Sequence, residues 1–381
     1  MPKPMPIHFV LTLSLLDGNS LPAARIVLML FALELGAEPW TAGLLFATFS
    51  VGPMLFSVPA GRLADRFGAR WLLIFAAAGG AFGMSLPFFL PGLPAIFAAA
   101  AMMGLSEGIY SVLLQNLVGL LSTPDNRARN FSNFVLTRSV GTFVGPLIAG
   151  FSIDFSGHAT ACLYLVALTL VPVVMLALRR GALRGGARQV THAGGGLRAM
   201  LSDPIVRRVL AISSLLHVGR DLYQFYMPVY THSIGLSASV IGIVLAANAT
   251  AVFIARLILP GLIARFTEEK LLACIFYAGA ASLMLIPFFQ DAVMLALISF
   301  IFGLSTGCGG PIMLMLMFSS SAEGRSGETL GLRMTVNHFT KIAGPVVFGS
   351  IASAFGLFVM FWINALMMGT GGILSRPKKT R

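Results

Sequence analysis

The stretch GRLADRFGAR, residues 61–70, places three arginines and one aspartate within ten residues. The chain around it is only 10% charged and 57% hydrophobic, and its mean hydropathy is +0.87. A chain of 381 residues with this composition has too few polar side chains to cover a water-facing surface, which predicts an integral membrane protein. The charged stretch then marks a point where the chain leaves the bilayer.

Apolar runs long enough to cross a bilayer, about 20 residues each, lie on both sides of this stretch. They predict an all-α membrane protein with twelve transmembrane helices. The first run is too long and too interrupted for a signal peptide, so we expect it to be retained. The predicted spans are 8–34, 41–60, 71–90, 93–121, 131–153, 159–178, 205–230, 237–263, 271–289, 292–318, 329–354 and 356–375.

Basic residues are distributed unevenly between the two sides of these spans. If twelve helices alternate in direction, 20 of the 26 Lys and Arg residues fall on one side, and the loops of the other side contain none. Because Lys and Arg accumulate in cytoplasmic loops, both termini are predicted to be cytoplasmic. The net charge of +12 then reflects sidedness and not a nucleic-acid surface. The short loops fit a bacterial inner (plasma) membrane.

Internal repeats divide the chain into two halves. SLLDG at 14–18 is echoed by SLLHV at 214–218, GLSEG at 104–108 by GLSTG at 303–307, and GPLIAG at 145–150 by GPVVFG at 344–349. Echoes that keep one order at an offset of 199 or 200 predict two parallel six-helix repeats. The predicted organisation is a first half at 1–178, a Gly- and Arg-rich cytoplasmic linker at 179–204, and a second half with a basic tail at 205–381.

The opening stretch resembles motif A of the major facilitator superfamily, whose members are secondary transporters. The resemblance implies that this segment braces the two halves at the cytoplasmic side, with its aspartate facing a helix N-terminus. The second-half copy at 260–270 has Ala264 where the first half has aspartate, which predicts a one-sided latch. A positively charged loop with a glycine turn is the simpler alternative. The matching residues are Gly61, Asp65, Arg66, Gly68 and Arg70.

A second segment, GTFVGPLIAG at 141–150, resembles motif C of the same superfamily. Small residues four apart allow close helix contact, and a proline bends the helix. In the family this motif is associated with antiporters, so the resemblance favours export, whereas ordinary glycine-mediated packing is the alternative. The matching residues are Gly141, Gly145, Pro146 and Gly150.

The chain departs from the family at motif B on the fourth helix. Gly104 stands where family antiporters often carry an arginine, and Glu107 stands where they often carry glutamine. The two matching motifs are nevertheless most similar to the twelve-helix drug/proton antiporter group. That resemblance implies proton coupling, a small-molecule substrate and a monomer.

Nine charged side chains lie inside the predicted helices, six basic and three acidic. Unpaired, at roughly 2.5–3.5 kcal/mol each, they would cost on the order of 20–30 kcal/mol, so we expect them to pair or to face a water-filled path. In the superfamily, the helices that carry them line or flank the central path. The nine are Asp17, Arg25, Glu107, Arg138, Arg220, Asp221, Arg256, Arg333 and Lys341.

Some of these residues are candidates for proton transfer. Asp17 lies in the middle of the first helix, and its repeat counterpart is His217. Because buried carboxylates and histidines can exchange protons near neutral pH, we expect Asp17 to carry the coupling proton, followed by Glu107. His217 and His338 are weaker candidates, for which hydrogen-bonded packing is the alternative. Asn337 completes the predicted path.

Helical geometry suggests how the charges pair. Arg25 lies about 80° around the helix from Asp17, so the two could form an ion pair. Arg138 and Arg333 are near the cytoplasmic helix ends, where snorkelling to the interface is an alternative to a role in the path. The surplus of positive charge favours an anionic or carboxylated substrate. Methionines in the path would also suit a loosely specified hydrophobic substrate, with ordinary packing as the alternative.

Other classes of function find little support in the sequence. Cys162, Cys274 and Cys308 lack disulfide or metal-site spacing, and no nucleophile, zinc or nucleotide-binding motif is present, so we expect neither an enzyme, a metal nor a cofactor. The predicted function is proton-coupled efflux of a small organic solute that is anionic or amphipathic. A proton symporter that takes up an organic anion and a non-transporting sensor with the same fold are the alternatives.

Overall fold

A computed structural model of the chain describes residues 6–123, 126–178, 204–320 and 326–376. Within these ranges the chain forms twelve α-helices and one 3-10 segment, Ile286–Phe288, and contains no strand. The prediction of an all-α fold is confirmed. The predicted linker at 179–204 lies outside the described residues except for its last residue, Pro204.

The helices coincide closely with the predicted spans. The first six are α1 Ile7–Glu34, α2 Pro39–Phe67, α3 Ala69–Phe89, α4 Leu93–Leu120, α5 Arg127–Ser156 and α6 His158–Leu178. The other six are α7 Pro204–Ser233, α8 Ala238–Ile263, α9 Glu268–Leu285, α10 Ala292–Ser320, α11 Ser326–Phe355 and α12 Leu357–Ser375.

Ten of these helices contain segments long and apolar enough to cross a membrane within the described residues. The two others are α7 and α11, and both are longer than the bilayer requires. In α11 the apolar part is the shorter segment Phe339–Phe355. Both α7 and α11 also carry several of the predicted intramembrane charges.

The charged stretch at 61–70 differs from the expected loop. α2 continues to Phe67, and Gly68 alone separates it from α3, which begins at Ala69. Gly68 has φ +84°, a left-handed conformation that side chains disfavour and glycine adopts readily. A single residue therefore makes the turn, and most of the charge lies on the last turns of α2.

The chain folds into two compact units. Unit 1 contains the described residues of Met1–Gln189 and of Gly235–Ala246, so that it includes the start of α8. In unit 1, α1 packs against α5, α2 against α4, and α3 against α4 and α6. One core cluster joins α1, α3 and α4 through apolar side chains that include Leu13, Leu73 and Leu114.

Unit 2 contains the described residues of Val190–Ile234 and of Ala247–Arg381. Its α7 packs against α10, α11 and α12, while α9 packs against α10 and α12. Aromatic side chains fill much of its interior. They include Tyr223, Tyr226, Tyr230, Phe302 and Phe361.

Candidate functional site

The main polar feature of unit 1 is a cluster of two carboxylates and one arginine, Asp17 of α1, Glu107 of α4 and Arg138 of α5, which we call the carboxylate–arginine cluster. The Arg138 Nη1 atom lies 3.2 Å from Asp17 Oδ2, and Nη2 donates a hydrogen bond to Glu107 Oε1. The Asp17 and Glu107 side chains are only 10% and 12% exposed, and Arg138 is 28% exposed. Arg138 therefore turns inward to two acids and does not snorkel.

Glycines bring the members of this cluster together. A Cβ added to Gly141 of α5 would lie 2.3 Å from the backbone carbon of Gly18 of α1. A Cβ on Gly18 itself would lie 3.3 Å from Arg138 Cα. The first contact leaves no room for a side chain and the second is tight, so the backbones of α1 and α5 approach closely, and Arg138 reaches the carboxylate of Asp17.

Arg25 has a different environment from the one that helical geometry suggested. Its guanidinium carbon lies 5.0 Å from the ring centre of Phe46 and 5.7 Å from that of Phe49, both on α2. Such contacts stabilise a cation over an aromatic face. Asp17 is thus bound by Arg138 of a neighbouring helix, and Arg25 of its own helix lies over aromatic rings.

A small cavity adjoins the carboxylate–arginine cluster. Among its lining residues are Asp17 and Glu107, Ala77 of α3, Tyr110 of α4 and Thr169 of α6. Tyr110 is 1% exposed and lies one helical turn after Glu107, so the two share a helix face. Tyr110 was not among the residues predicted from the sequence, although its spacing from Glu107 is the signal that could have identified it.

The described part of motif A is the turn at Gly68 and the side chain of Arg70. Arg70 Nε donates to Leu176 O at 2.9 Å and Nη2 to Ala177 O at 3.1 Å, so that Arg70 caps the C-terminal end of α6. Gly61, Asp65 and Arg66 lie on α2, and their side chains fall outside what the structure describes. Their assignment to a latch stays a prediction.

The motif C residues contact two helices. Gly145 faces α1, where an added Cβ would lie 2.9 Å from Asn19 O. Gly150 faces the start of α8, where an added Cβ would lie 2.3 Å from Ala238 O, and a Cβ on Gly242 of α8 would lie 2.5 Å from Pro146 O. Within unit 1, the segment from Gly141 to Gly150 therefore packs closely against both α1 and α8.

Asp154, near the end of α5, binds the same end of α8. Its carboxylate accepts hydrogen bonds from the backbone N–H groups of Ala238, at 3.0 Å, and Ser239, at 2.9 Å, and from the Ser239 hydroxyl. An acidic side chain at this position satisfies the free N–H groups at a helix start and favours the helix dipole. Asp154 thus adds a polar anchor to the glycine contacts.

The predicted path residues of unit 2 lie on α7, α8 and α11. His217 Nδ1 is 2.8 Å from Ser213 O on the same helix. Oδ2 of Asp221 and Oδ1 of Asn337 are buried, without a hydrogen-bond partner among the described residues. Arg220 and Arg256 lie near enough to repel each other electrostatically. Of the other three predicted path residues of unit 2, Lys341 is partly buried. The side chains of Arg333 and His338 are not among those that the structure describes.

An aromatic cluster in unit 2 was also missed from the sequence. Tyr223, Tyr226 and Tyr230 are spaced along one side of α7 and are all buried. The Tyr223 ring centre lies 4.5 Å from that of Phe302, and the Tyr230 ring centre lies 5.4 Å from that of Phe361. The Tyr230 hydroxyl donates to Phe289 O at 2.9 Å. The spacing of three tyrosines at helical intervals was the available signal.

Comparisons with known proteins agree with this architecture. The family model of the Major Facilitator Superfamily matches residues 9–340 and, in a second match, residues 209–380. The chain is 22% identical to multidrug resistance protein MdtG of Serratia proteamaculans, a match that covers 89% of this chain and 85% of that protein. It is 21% identical to the class H tetracycline resistance protein of Pasteurella multocida, over 97% of this chain and 93% of that protein.

A shorter match has higher identity. Over 109 residues the chain is 34% identical to efflux pump azaK of Aspergillus niger. This match covers 29% of this chain and 23% of that protein.

Solved structures show the same fold at low sequence identity. The nucleoside transporter NupG superposes with a TM-score of 0.81 at 14% identity, over 98% of this chain and 99% of that chain. A bacterial homologue of the human lysosomal transporter Spinster, inward-facing and unoccupied, gives a TM-score of 0.76 at 12% identity, over 97% of this chain and 93% of that chain.

Proposed function

Because the chain belongs to the Major Facilitator Superfamily, we propose that this multi-pass membrane transporter exports a small amphipathic organic compound in exchange for protons. Membership in a family of transporters confirms the expectation that the chain is not an enzyme. Relatives named for multidrug and tetracycline resistance match most of its length and support export as the direction. The observation that carries the proposal is the carboxylate–arginine cluster.

The charge of the cluster makes it suited to exchange. Two ionised carboxylates and one guanidinium leave one negative charge in excess, at side chains that are almost fully buried. An uncompensated charge inside the membrane is costly, so the cluster favours either a bound proton or a bound cationic group. A site that holds one or the other can couple the release of a proton to the binding of a substrate.

Arg138 also accounts for the departure from motif B. The family's arginine on the fourth helix is absent, since Gly104 occupies that position. A Cβ on Gly104 would lie 2.3 Å from Phe49 O, so α2 leaves no room there for a longer side chain. Arg138 supplies a guanidinium to Glu107 from α5 instead. We infer that proton coupling is retained with its basic partner on a different helix.

The environment of the arginines bears on the charge of the substrate. The sequence predicted an anionic or amphipathic solute from six basic against three acidic side chains. In unit 1, however, Arg138 binds two carboxylates and Arg25 lies over two aromatic rings. By count, the predicted intramembrane charges that remain on the helices of unit 2 are four basic side chains and one acidic side chain: Arg220, Arg256, Arg333, Lys341 and Asp221. We propose an amphipathic substrate, and retain the anion as an outcome for the binding experiment.

Two further properties belong to the same proposal. The basic loops favour a bacterial inner membrane with both termini in the cytoplasm, and bacterial relatives support that location. The family resemblance supports a monomer. Protease accessibility of tagged termini would test the cytoplasmic location of both ends. Crosslinking in native membranes would test the monomer.

The first experiment identifies a ligand and then its coupling. Purified protein is heated with tetraphenylphosphonium, an amphipathic cation, or taurocholate, an amphipathic anion, at two pH values, because a ligand of the folded state raises the melting temperature. The compound that stabilises the protein is then added to proteoliposomes with an imposed pH gradient. Dissipation of the gradient by that compound supports antiport, and movement of the compound without protons contradicts it.

Asp17→Asn tests the role of the cluster. In this variant we expect the rate of transport driven by the pH gradient to fall by about 100-fold or more, as expected when a proton-transfer group is lost. Exchange of labelled for unlabelled compound should be retained. Asp291→Asn is the matched control, since Asp291 is outside the membrane and caps α10 through hydrogen bonds that Asn can also make. Unchanged gradient-driven transport in Asp17→Asn would reject Asp17 as the proton site.

A further inference from the structure

The small cavity beside the carboxylate–arginine cluster lies among α1, α3, α4 and α6, all in unit 1. It has room for about one water molecule, which is too little for an organic solute. Six of its ten lining residues are polar. The polar residues are Asp17, Ser20, Ser106, Glu107, Tyr110 and Thr169.

Two polar atoms at this cavity are buried and lack a partner. They are Oε2 of Glu107 and the hydroxyl oxygen of Tyr110, neither of which has a hydrogen-bond partner among the described residues. One is an acceptor and the other can donate, and both residues line the same cavity. Since buried polar groups are almost always hydrogen-bonded, a donor and an acceptor left open around one space indicate a bridging molecule.

We propose that the cavity holds one water molecule, which accepts a hydrogen bond from the Tyr110 hydroxyl and donates one to Glu107 Oε2. This inference rests on the proposed function, because it assigns Tyr110 as a positioning residue for the proton that Glu107 exchanges. Tyr110 acts through the water and touches no substrate.

The remaining hydrogen of the water has acceptors nearby. The Ser20 hydroxyl donates its own proton to Leu16 O at 3.0 Å, and the Thr169 hydroxyl donates to Leu165 O at 2.9 Å. Each hydroxyl oxygen therefore keeps a lone pair that can accept from the water. A water in this cavity has three partners available, which is the usual number for a buried water.

The water has a defined effect on proton exchange. A donor to Oε2 stabilises the ionised carboxylate of Glu107 more than the protonated form, and so helps proton release. The other titratable or charged groups that face Glu107 are Asp17 of α1, Arg138 of α5 and Tyr110 itself. The cavity linings from α3 and α6 add no titratable group, since they are Ala77, Thr169 and Pro172. Phe49 and Pro53 of α2, which lie against Gly104 and Gly108 of α4, are not titratable either.

Infrared spectroscopy tests the proposal without requiring transport. The carboxyl C=O band of Glu107, identified by its loss in Glu107→Gln, is followed as purified protein is titrated with pH. In Tyr110→Phe we expect the midpoint of this band to move by about 0.5–1 pH unit toward alkaline pH, since a neutral hydrogen bond to the ionised form is lost. Tyr277→Phe is the control, because its hydroxyl is also buried without a described partner but lies in unit 2.

A second variant separates a bridging water from a direct contact. Ala77→Val fills the cavity from α3 and leaves Tyr110 and Glu107 in place. We expect the same alkaline displacement as in Tyr110→Phe. A displacement in Tyr110→Phe alone would overturn the water, and no displacement in either variant would overturn the role of Tyr110.

These outcomes are distinguishable from failure of the proposed function. The infrared midpoint reports the protonation of Glu107 whether or not a substrate has been found. If gradient-driven transport is absent but the midpoint moves in both variants, the water is supported and the antiport proposal fails. If transport is proton-coupled but the midpoint of the Glu107 band is unchanged in both variants, the antiport proposal stands and the water is rejected.

Discussion

The carboxylate–arginine cluster of unit 1 has repeat counterparts in unit 2, at offsets of 199 or 200 residues. The counterparts are His217, Thr306 and Asn337. His217 Nδ1 and Thr306 Oγ1 lie within hydrogen-bond distance of carbonyl oxygens of their own helices, at 2.8 and 3.0 Å. One repeat thus gathers three charges from three helices, while the equivalent positions of the other carry a histidine and two neutral polar residues.

The helix packing around these positions is far more similar than their chemistry. A Cβ on Gly104 would lie 2.3 Å from Phe49 O, and a Cβ on its counterpart Gly303 would lie 2.4 Å from Asn248 O. Phe49 and Asn248 are themselves separated by the offset of the repeat. The two repeats therefore share the backbone contacts of α2 with α4 and of α8 with α10. The difference between them lies in side chains, which suggests that proton chemistry belongs to unit 1.

The largest effect is expected from breaking the cluster at its only cation. Arg138→Gln leaves two carboxylates without a counter-charge, so we expect loss of transport and a decrease of about 3–5 kcal/mol in the free energy of unfolding at neutral pH. The penalty should be smaller at acidic pH, where the carboxylates are protonated. Thermal unfolding in detergent at several pH values measures both effects.

The counterpart Asn337→Ala is the matched comparison for this prediction. This variant removes no charge, so we expect the free energy of unfolding to decrease by less than about 1 kcal/mol. The decrease should not depend on the charge of the cluster. If Arg138→Gln and Asn337→Ala destabilise the protein equally, the two repeats do not divide the chemistry as proposed. The double variant Asp17→Asn with Glu107→Gln should relieve most of the penalty of Arg138→Gln.

The glycines of the two GP segments provide a second comparison. A Cβ on Gly145 would lie 2.9 Å from Asn19 O and 3.0 Å from Pro22 Cβ. A Cβ on its counterpart Gly344 would have no described atom within 4 Å apart from its own helix backbone and chain neighbours. We expect Gly145→Ala to lower the free energy of unfolding by about 1–3 kcal/mol through overpacking. Gly344→Ala should be neutral or slightly stabilising, since alanine favours the helix. Comparing the melting temperatures of the two single variants with that of the unmodified protein tests this prediction.

The fold was largely predictable from the sequence, and the site was only partly so. Each of the twelve predicted apolar runs coincides with a helix of the described residues, because hydropathy and length are local properties. The pairing of Asp17 with Arg138 was not local, since it depends on the close approach of α1 and α5. Helical geometry along α1 could offer only Arg25 as a partner. Side-chain pairing between helices requires packing distances that one sequence does not contain.

The end of motif A shows the same limit in another way. Its charges predicted a loop, because the sequence does not reveal that Gly68 makes the turn alone with φ +84°. The sequence also did not indicate that Arg70 binds carbonyl groups at the end of α6, 106 and 107 residues further along the chain. The resemblance grouped these residues, whereas the turn at Gly68 and the contacts of Arg70 became visible only in the tertiary structure.

The smallest effect, and the sharpest comparison, concerns two arginines that cap helix ends. Arg208 donates from Nε to Leu374 O at 2.8 Å and from Nη2 to Arg376 O, as Arg70 does at the end of α6. We expect Arg70→Ala and Arg208→Ala each to lower the free energy of unfolding by about 0.5–1 kcal/mol, because both remove a partly exposed cation from a helix C-terminus. Thermal unfolding measures this term.

Transport rates then separate capping from gating. If Arg70 serves only as a cap, both variants should retain similar transport at a temperature where they are fully folded. The motif A resemblance instead predicts that Arg70→Ala slows transport several-fold while Arg208→Ala does not, since Arg70 belongs to motif A and Arg208 lies outside its second-half copy at 260–270. Equal transport rates in the two variants would indicate that Arg70 of motif A serves only as a helix cap, and slower transport in Arg70→Ala alone would assign motif A a role in the conformational cycle.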